Sequence, residues 1–316
     1  MKGVLLINLG TPEEPTAQAV RRYLGAFLSD RRVIQMNPIF WQPILHGMIM
    51  PFRGPRSAKL YQKIWTDEGS PLLTITKAQA EQLQTLLPEQ RVRFAMSYSQ
   101  PSIENELTAM TQAGVDDLTI LPAYPQYSTT TVASVLDSVH RFYLHQQSSP
   151  TLHLISSYCH EPAYLDALAN NIKNQLEKHP VEHLVFSYHG IPESYAQQGD
   201  PYAKECTDTT AGVVARLNPT VQVSQSYQSQ FGPSQWLQPS THQTLVDLAQ
   251  GGTRSVAVIT PSFIADCLET ISEIGIENRG YFEDAGGTEL VRIKPVNEDP
   301  AFVSALRDIV VVNQRR

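Results

Sequence analysis

His189 closes an apolar run, His-Leu-Val-Phe-Ser-Tyr-His-Gly-Ile-Pro (183–192), where a strand should end and a loop begin. The carboxyl ends of strands in α/β proteins are where ligands bind. An imidazole there can be a base near neutral pH, a ligand for a divalent transition metal, or a structural group bonded to a neighbouring carbonyl. A second strand-like run, Val256–Thr260, leads into acids: Glu269, Glu273 and Glu277 recur every four residues, so on a helix they form one stripe. Leu268, Ile271, Ile274 and Ile276 surround them. Carboxylates beside an apolar surface repel one another unless a cation or shared protons offset the charge. Together these residues suggest handling of a cation and of protons. Two plainer readings stay open: Asp266-x-x-Glu269 has the form of a capping box, and Glu273 and Glu277 have the spacing of a solvated face.

The elements that must hold these residues follow from the pattern. Strand-like runs at Gly3–Asn8, Val92–Tyr98, Leu118–Leu121, Leu152–Ser157, Leu184–Ser187, Val221–Gln225, Ser255–Thr260 and Leu290–Ile293 alternate with helical runs such as Thr74–Leu87, Ile103–Gln112, Thr130–Leu144 and Pro162–Lys178. That alternation predicts a layered α/β fold with mostly parallel sheets. Asp30, Ser102 and Glu161 stand near helix boundaries, where caps belong. Leu5–Glu13 aligns without gaps on Val185–Glu193, and Leu118–Tyr124 on Ala257–Phe263, so the chain reads as internally duplicated. In that register Leu9 is the counterpart of His189, and Thr130 of Glu269. Two such half-folds facing each other make a cleft with one apolar and one reactive jaw. The expected division is a first half, 1–150, and a second, 151–316, with the final helical run, Ala301–Val312, packing back on the first.

The first half also carries an insertion, about 33–71, dense in Met36, Ile39, Phe40, Trp41, Ile44, Leu45, Met48, Ile49, Met50 and Phe52. Pro38, Pro43 and Pro51 rule out one long helix through it. Buried core is the commoner fate of such residues; the alternatives are a lip over a flat apolar ligand or a surface touching a bilayer. Arg53, Arg56 and Ser70 set cationic and hydroxyl donors beside this apolar wall, and arginine's planar fork suits carboxylates.

Composition excludes several classes. The 316 residues, 41% apolar, suffice for a buried core, and a net charge of −7 argues against nucleic-acid binding. Three cysteines without a Cys-x-x-Cys pair support neither a disulfide framework nor a four-thiolate zinc site, so a reducing cytoplasm is the expected compartment. No run reaches membrane-spanning length. Gly-x-Gly-x-x-Gly after the first strand, a Walker loop and a Gly-x-Ser-x-Gly elbow are all missing from the sequence.

The ordered segments Leu-Ile-Asn-Leu-Gly-Thr-Pro (6–12), Gly-Ser-Pro-Leu (69–72), Leu-Pro-Ala-Tyr-Pro-Gln-Tyr-Ser (121–128), Phe-Ser-Tyr-His-Gly-Ile-Pro (186–192), Gly-Asp-Pro-Tyr (199–202), the amide-rich stretch 227–239 and Asp-Cys-Leu-Glu-Thr (266–270) resemble bacterial ferrochelatases over nearly the whole chain. The resemblance implies two Rossmann-like halves with parallel sheets flanking a central porphyrin cleft. It also implies insertion of ferrous iron into protoporphyrin IX, the last step of haem synthesis. His189 then takes the position of the family's active-site histidine and Glu269 that of its partner acid, both touching metal, with Glu273 and Glu277 relaying protons or iron. Arg53, Arg56 and Ser70 match positions that meet the porphyrin propionates, and Leu9 and Tyr124 join the expected substrate wall. Cys267 stands where some relatives have histidine. The chain lacks the cysteine-bearing C-terminal extension of animal members, so no iron–sulfur cluster is expected. A cytoplasmic monomer with peripheral membrane contact completes the expectation. The alternatives are a coproporphyrin or other tetrapyrrole chelatase and a non-catalytic porphyrin or haem carrier.

Overall fold

The computed structural model describes residues Met1–Arg315. The chain divides into two compact units, one of Met1–Ser156 with the residues from Val303 onward, the other of Ser157–Phe302. The first contains β1 (Lys2–Asn8), α1 (Ala17–Leu28), α2 (Pro38–Ile44), α3 (Met50–Ile64), α4 (Pro71–Leu86), β2 (Arg91–Met96), α5 (Ile103–Gln112), β3 (Asp117–Pro122), α6 (Val132–Tyr143) and β4 (Thr151–Leu154). The second contains α7 (Pro162–Leu176), β5 (His183–His189), α8 (Glu193–Gln197), α9 (Tyr202–Leu217), β6 (Gln222–Gln228), α10 (Thr241–Gln250), β7 (Ser255–Ile259), α11 (Arg279–Asp284) and β8 (Glu289–Arg292). The last helix, α12 (Pro300–Asn313), is followed by Gln314, whose side-chain amide donates to Gln90 Oε1 at 2.8 Å and Thr119 Oγ1 at 2.9 Å.

All eight expected strands are present, and every pairing within the two sheets is parallel. The orders are β2-β1-β3-β4 and β6-β5-β7-β8, one topology used twice, as the duplicated segments require. Helices cover both faces of such a sheet, so its central strands are continuously apolar: Val4–Ile7 in β1 and Leu184–Phe186 in β5 are fully buried. In each unit the chain leaves the first strand to one side and returns to pair on its other side. That reversal opens a crevice at the carboxyl end of the first strand, which is where β5 ends in His189.

The three candidate caps divide by the bonds their side chains make. Ser102 caps α5 by accepting from the Asn105 N–H, whereas Asp30 caps nothing: its carboxylate accepts from the Arg32 N–H at 2.7 Å and the Tyr98 hydroxyl at 2.7 Å, and also from Ser134 Oγ. Glu161 stands at the N-cap position of α7 without a side-chain capping bond.

The insertion overturns an expectation. Its prolines do not divide it, because α2, a π-helical turn at Leu45–Ile49 and α3 run on without a break from Pro38 to Ile64. A proline ring in a helix meets the carbonyl four residues back, and for Pro51 that residue is Gly47, inside the wider π turn. Pro55 has no N–H for the Pro51 carbonyl, and Arg21 supplies Nη2 there at 3.5 Å and Nε to the Met50 carbonyl at 3.3 Å. Of the ten apolar residues that mark the insertion only Leu45 and Met50 are buried, and the helix takes its other core contacts later, at Ala58, Tyr61 and Ile64. Ile39, Phe40, Met48 and Phe52 are 65–78% exposed.

Candidate active site

Both chemical segments lie in the second unit, at the carboxyl ends of neighbouring strands. His189 ends β5, and its backbone N–H donates to Ser262 Oγ at 3.1 Å on the loop after β7. Gly190 follows because no side chain fits: a Cβ there would meet the Gln228 carbonyl at 2.9 Å and Trp236 at 3.2 Å. With Gly190 held by its own N–H on Gln228 O at 2.8 Å, its carbonyl accepts from His189 Nδ1 at 2.6 Å. A carbonyl can only accept, so Nδ1 carries the proton and Nε2 keeps its lone pair. The structural reading of this histidine is therefore true of one nitrogen and leaves the other for chemistry. Burial lowers the pKa of His189, while the nearby Glu269 carboxylate and the bond to Gly190 pull it back up. Phe263 packs against the ring with centroids 6.1 Å apart.

The capping-box reading of Glu269 fails. The Asp266 N–H donates to Asn297 Oδ1 at 2.8 Å, and the Asp266 carboxylate is taken by Thr270 Oγ1 (2.6 Å), Arg292 Nη1 (2.6 Å) and Asn297 Nδ2 (3.1 Å). Glu269 instead opens a π-helix, Glu269–Asn278. Steps of four residues fall just beyond one turn of an α-helix and just short of one in the wider π turn, so the carboxylates keep to one side in either winding. Along that side Glu269 and Glu273 are partly buried and Glu277 is exposed.

Glu273 is held by Ser229, whose N–H donates to Oε1 at 2.6 Å and whose Oγ donates to Oε2 at 2.5 Å. Ser229 follows β6, one residue beyond the Gln228 that pairs with His189, and sits in the left-handed region at φ 64°. Non-glycine residues seldom adopt that conformation. Burial pushes the Glu273 pKa up to about 7; the Ser229 bonds pull it down, and Glu269 and Glu277 push it up further. Cys267 is buried and its thiol bonds Glu269; burial and that carboxylate raise its pKa, so it stays a protonated thiol rather than a thiolate ligand. Among the described residues no three His, Cys, Asp or Glu side chains gather into a metal-holding group.

The expected substrate residues all belong to the first unit. Leu9 follows β1, its carbonyl accepting from the Tyr98 N–H at 3.0 Å. Ser70 precedes α4, only 2% exposed, with its Oγ accepting from Thr11 Oγ1 at 2.8 Å, so it stands against the same loop as Leu9. Arg53 is half-buried and Arg56 exposed on α3. The Tyr124 ring packs on the core of this unit, and burial raises the pKa of its hydroxyl, which faces Ser97. A cavity of 1150 Å³ in this unit is lined by other residues, among them Asp30, Arg31, Met36, Ile39, Tyr98 and Ser134. Sequence reasoning missed that cavity as well as Ser229; the signals were Tyr98 at the end of a strand and Ser229 one step past another.

Comparison with known proteins bears on this arrangement. The ferrochelatase family model matches residues 1–314. The chain belongs to the ferrochelatase family. It is 45% identical over 308 residues to a coproporphyrin III ferrochelatase of Enterococcus faecalis, with 98% of each chain covered. It is 44% identical over 310 residues to a ferrochelatase of Yersinia enterocolitica, covering 98% of this chain and 96% of that one. Two solved structures share the fold at low identity. CbiX, described as the terminal enzyme of sirohaem biosynthesis in denitrifying bacteria, superposes with a TM-score of 0.54 at 13% identity over 98% of both chains. SirB from Bacillus subtilis, solved with Fe3+, gives 0.51 at 10% identity over 99% of this chain and 95% of that one. A ferrochelatase is a metal-insertion enzyme of the lyase class in haem biosynthesis, and membership implies a porphyrin and ferrous iron as substrates.

Proposed function

We propose that this ferrochelatase inserts ferrous iron into protoporphyrin IX to give protohaem, with His189 and Glu269 as the groups that meet the metal. As the iron enters, two pyrrole protons must leave, the macrocycle must pucker to present its nitrogen lone pairs, and the cation must shed water. A site that favours the puckered ring serves the transition state better than the flat substrate. The observation that carries the reading is the pairing of an unprotonated Nε2 on His189 with the Glu269 carboxylate in its field. Either group can accept a pyrrole proton or ligate the iron. Glu273, poised near neutrality, takes protons onward from Glu269, and the exposed Glu277 releases them to solvent.

In this reading Leu9 and Tyr124 contribute to the porphyrin wall, and Arg53, Arg56 and Ser70 meet its propionates. No iron–sulfur cluster is included: Cys159, Cys206 and Cys267 are buried free thiols whose pKa values burial raises. The protein acts as a cytoplasmic monomer that touches membrane peripherally. The support for that contact is the helix from Pro38 to Ile64, which exposes Ile39, Phe40, Met48 and Phe52. It lies in a stretch, Arg31–Thr66, with six Arg and Lys and no Asp or Glu, in a chain of net charge −7. Apolar side chains flanked by cations suit an anionic bilayer surface. Among the described residues no helix is long and apolar enough to cross a membrane.

A second reading, coproporphyrin III as substrate, is favoured by the name borne by the 45% identical Enterococcus relative. Anaerobic mixing of the protein with ferrous iron and each porphyrin, followed in the visible spectrum, tests both. Loss of the protoporphyrin free-base bands at a catalytic rate is expected. Turnover of coproporphyrin alone transfers the assignment to the second reading, and stoichiometric binding without turnover of either makes the protein a carrier.

A further inference from the structure

Arg292 ends β8, the edge strand of the second sheet, and takes no part in the chemistry above. Its guanidinium reaches back to the entrance of the π-helix, where Nη1 donates to Asp266 Oδ1 at 2.6 Å. The pair is largely buried, with side-chain exposures of 18% and 10%. On the way the side chain crosses the middle of the same segment: a Cβ on Gly275 would stand 3.3 Å from Arg292 Cδ and 3.6 Å from Nε. One side chain thus bonds Asp266, three residues ahead of the π-helix and itself tied to its first turn by Thr270, and lies against Gly275 in the second turn.

Two points of contact fix both the winding of a helix and its rotation about its own axis. The π winding needs such support. Long π segments are rare, and this one begins at Leu268 without a side-chain cap. Relaxation to an α-helix would turn Glu273 and Glu277 by different amounts relative to Glu269. Asp266 is built to receive the brace: Thr270 Oγ1 and Asn297 Nδ2 also donate to its carboxylate, and Asn297, at φ 46°, accepts from its backbone N–H.

We propose that Arg292 is a positioning residue for metal insertion, fixing the placement of Glu269 and Glu273 by bracing the π-helix at Asp266 and across Gly275. The proposal rests on the iron-insertion reading, and its test separates the two.

The full-length variants Arg292→Met and Arg292→Lys would be assayed anaerobically for kcat and for the porphyrin KM. Amide hydrogen exchange over 269–278 would be followed in parallel. A misplacement of about 1 Å costs on the order of a hundredfold in rate, so Arg292→Met should lose roughly tenfold to a hundredfold in kcat. Its porphyrin KM should stay within about twofold, because binding that is equal in ground and transition states is left alone. Exchange in the segment should quicken, and Arg292→Lys, which keeps the charge without the planar fork, should fall between. An unchanged kcat overturns the proposal, and so does a lost kcat with unchanged exchange. If Arg292→Met does not fold, the lysine variant decides by the same two readouts. If the wild type inserts iron into neither porphyrin, the functional reading fails, and the exchange data alone uphold or overturn the brace.

Discussion

Ser229 gives both of its donors to Glu273, the backbone N–H to one carboxylate oxygen at 2.6 Å and the hydroxyl to the other at 2.5 Å. A partly buried carboxylate is thereby kept able to ionise near neutral pH, since burial raises its pKa and these bonds lower it, to about 7. The rate of iron insertion should accordingly rise with pH through about 7, as Glu273 becomes able to accept a proton. Ser229→Ala removes one of the two stabilising bonds and should move that limb up by about one unit. A pH–rate profile with the same midpoint in both proteins would show that Glu273 takes no proton in the rate-limiting step.

The same carboxylate makes a stability prediction of opposite slope. Its folded pKa is raised above the usual carboxylate value, so the folded state binds the proton more tightly than the unfolded chain. This contribution to stability is complete below the unfolded pKa and is lost as pH rises through about 7. Wild-type Tm should therefore fall between pH 5 and 8 by more than that of Glu273→Gln. Scanning calorimetry of both proteins at the two pH values checks it.

His189→Ala and Glu269→Gln should each lower kcat by about a hundredfold or more, the scale of losing a positioned acid or base. Porphyrin binding, read by fluorescence quenching, should change little in either variant. Retained turnover in His189→Ala would remove the imidazole from the mechanism.

Arg53→Leu should raise the porphyrin KM about tenfold and leave kcat nearly unchanged, as expected when a charge-assisted bond to a propionate is lost from binding alone. Arg56→Leu should act in the same direction. An unchanged KM would take Arg53 away from the substrate.

Exposed apolar residues on the proline-rich helix predict lipid binding. Phe40→Ser with Phe52→Ser should abolish cosedimentation with vesicles containing anionic phospholipid, and raised salt should weaken wild-type binding. Equal binding to neutral vesicles at all salt concentrations would show that the cations of this stretch play no part.

The sequence revealed the scaffold better than the details that tune it. Parallel strands buried on both faces leave unbroken apolar runs, which is why β1, β3, β5 and β7 could be located from residue types and why His189 stood out at a strand end. The four-residue rhythm of Glu269, Glu273 and Glu277 could not reveal π winding, because α and π turns keep such a series on one side. The proline rule failed between Pro38 and Ile64 for a related reason: a π turn opens the helix just before Pro51, and Arg21, distant in sequence, serves the orphaned carbonyl. Arg292 meets Asp266 across 26 positions, and nothing in either local sequence announces the pair. Ser229 lay just past a strand end, but its left-handed backbone, which aims both donors at Glu273, has no signature in a run of Gln and Ser.

The shared strand order of the two sheets has an evolutionary consequence. Position 9, one step past the end of β1, is the aligned counterpart of position 189 at the end of β5, yet a leucine there can neither take a proton nor bind a metal. Under the proposed assignment, substitutions beside Leu9 would retune which tetrapyrrole periphery is preferred while His189 and Glu269 stay fixed. Drift in substrate range and loss of catalysis would then be separable events along one gene.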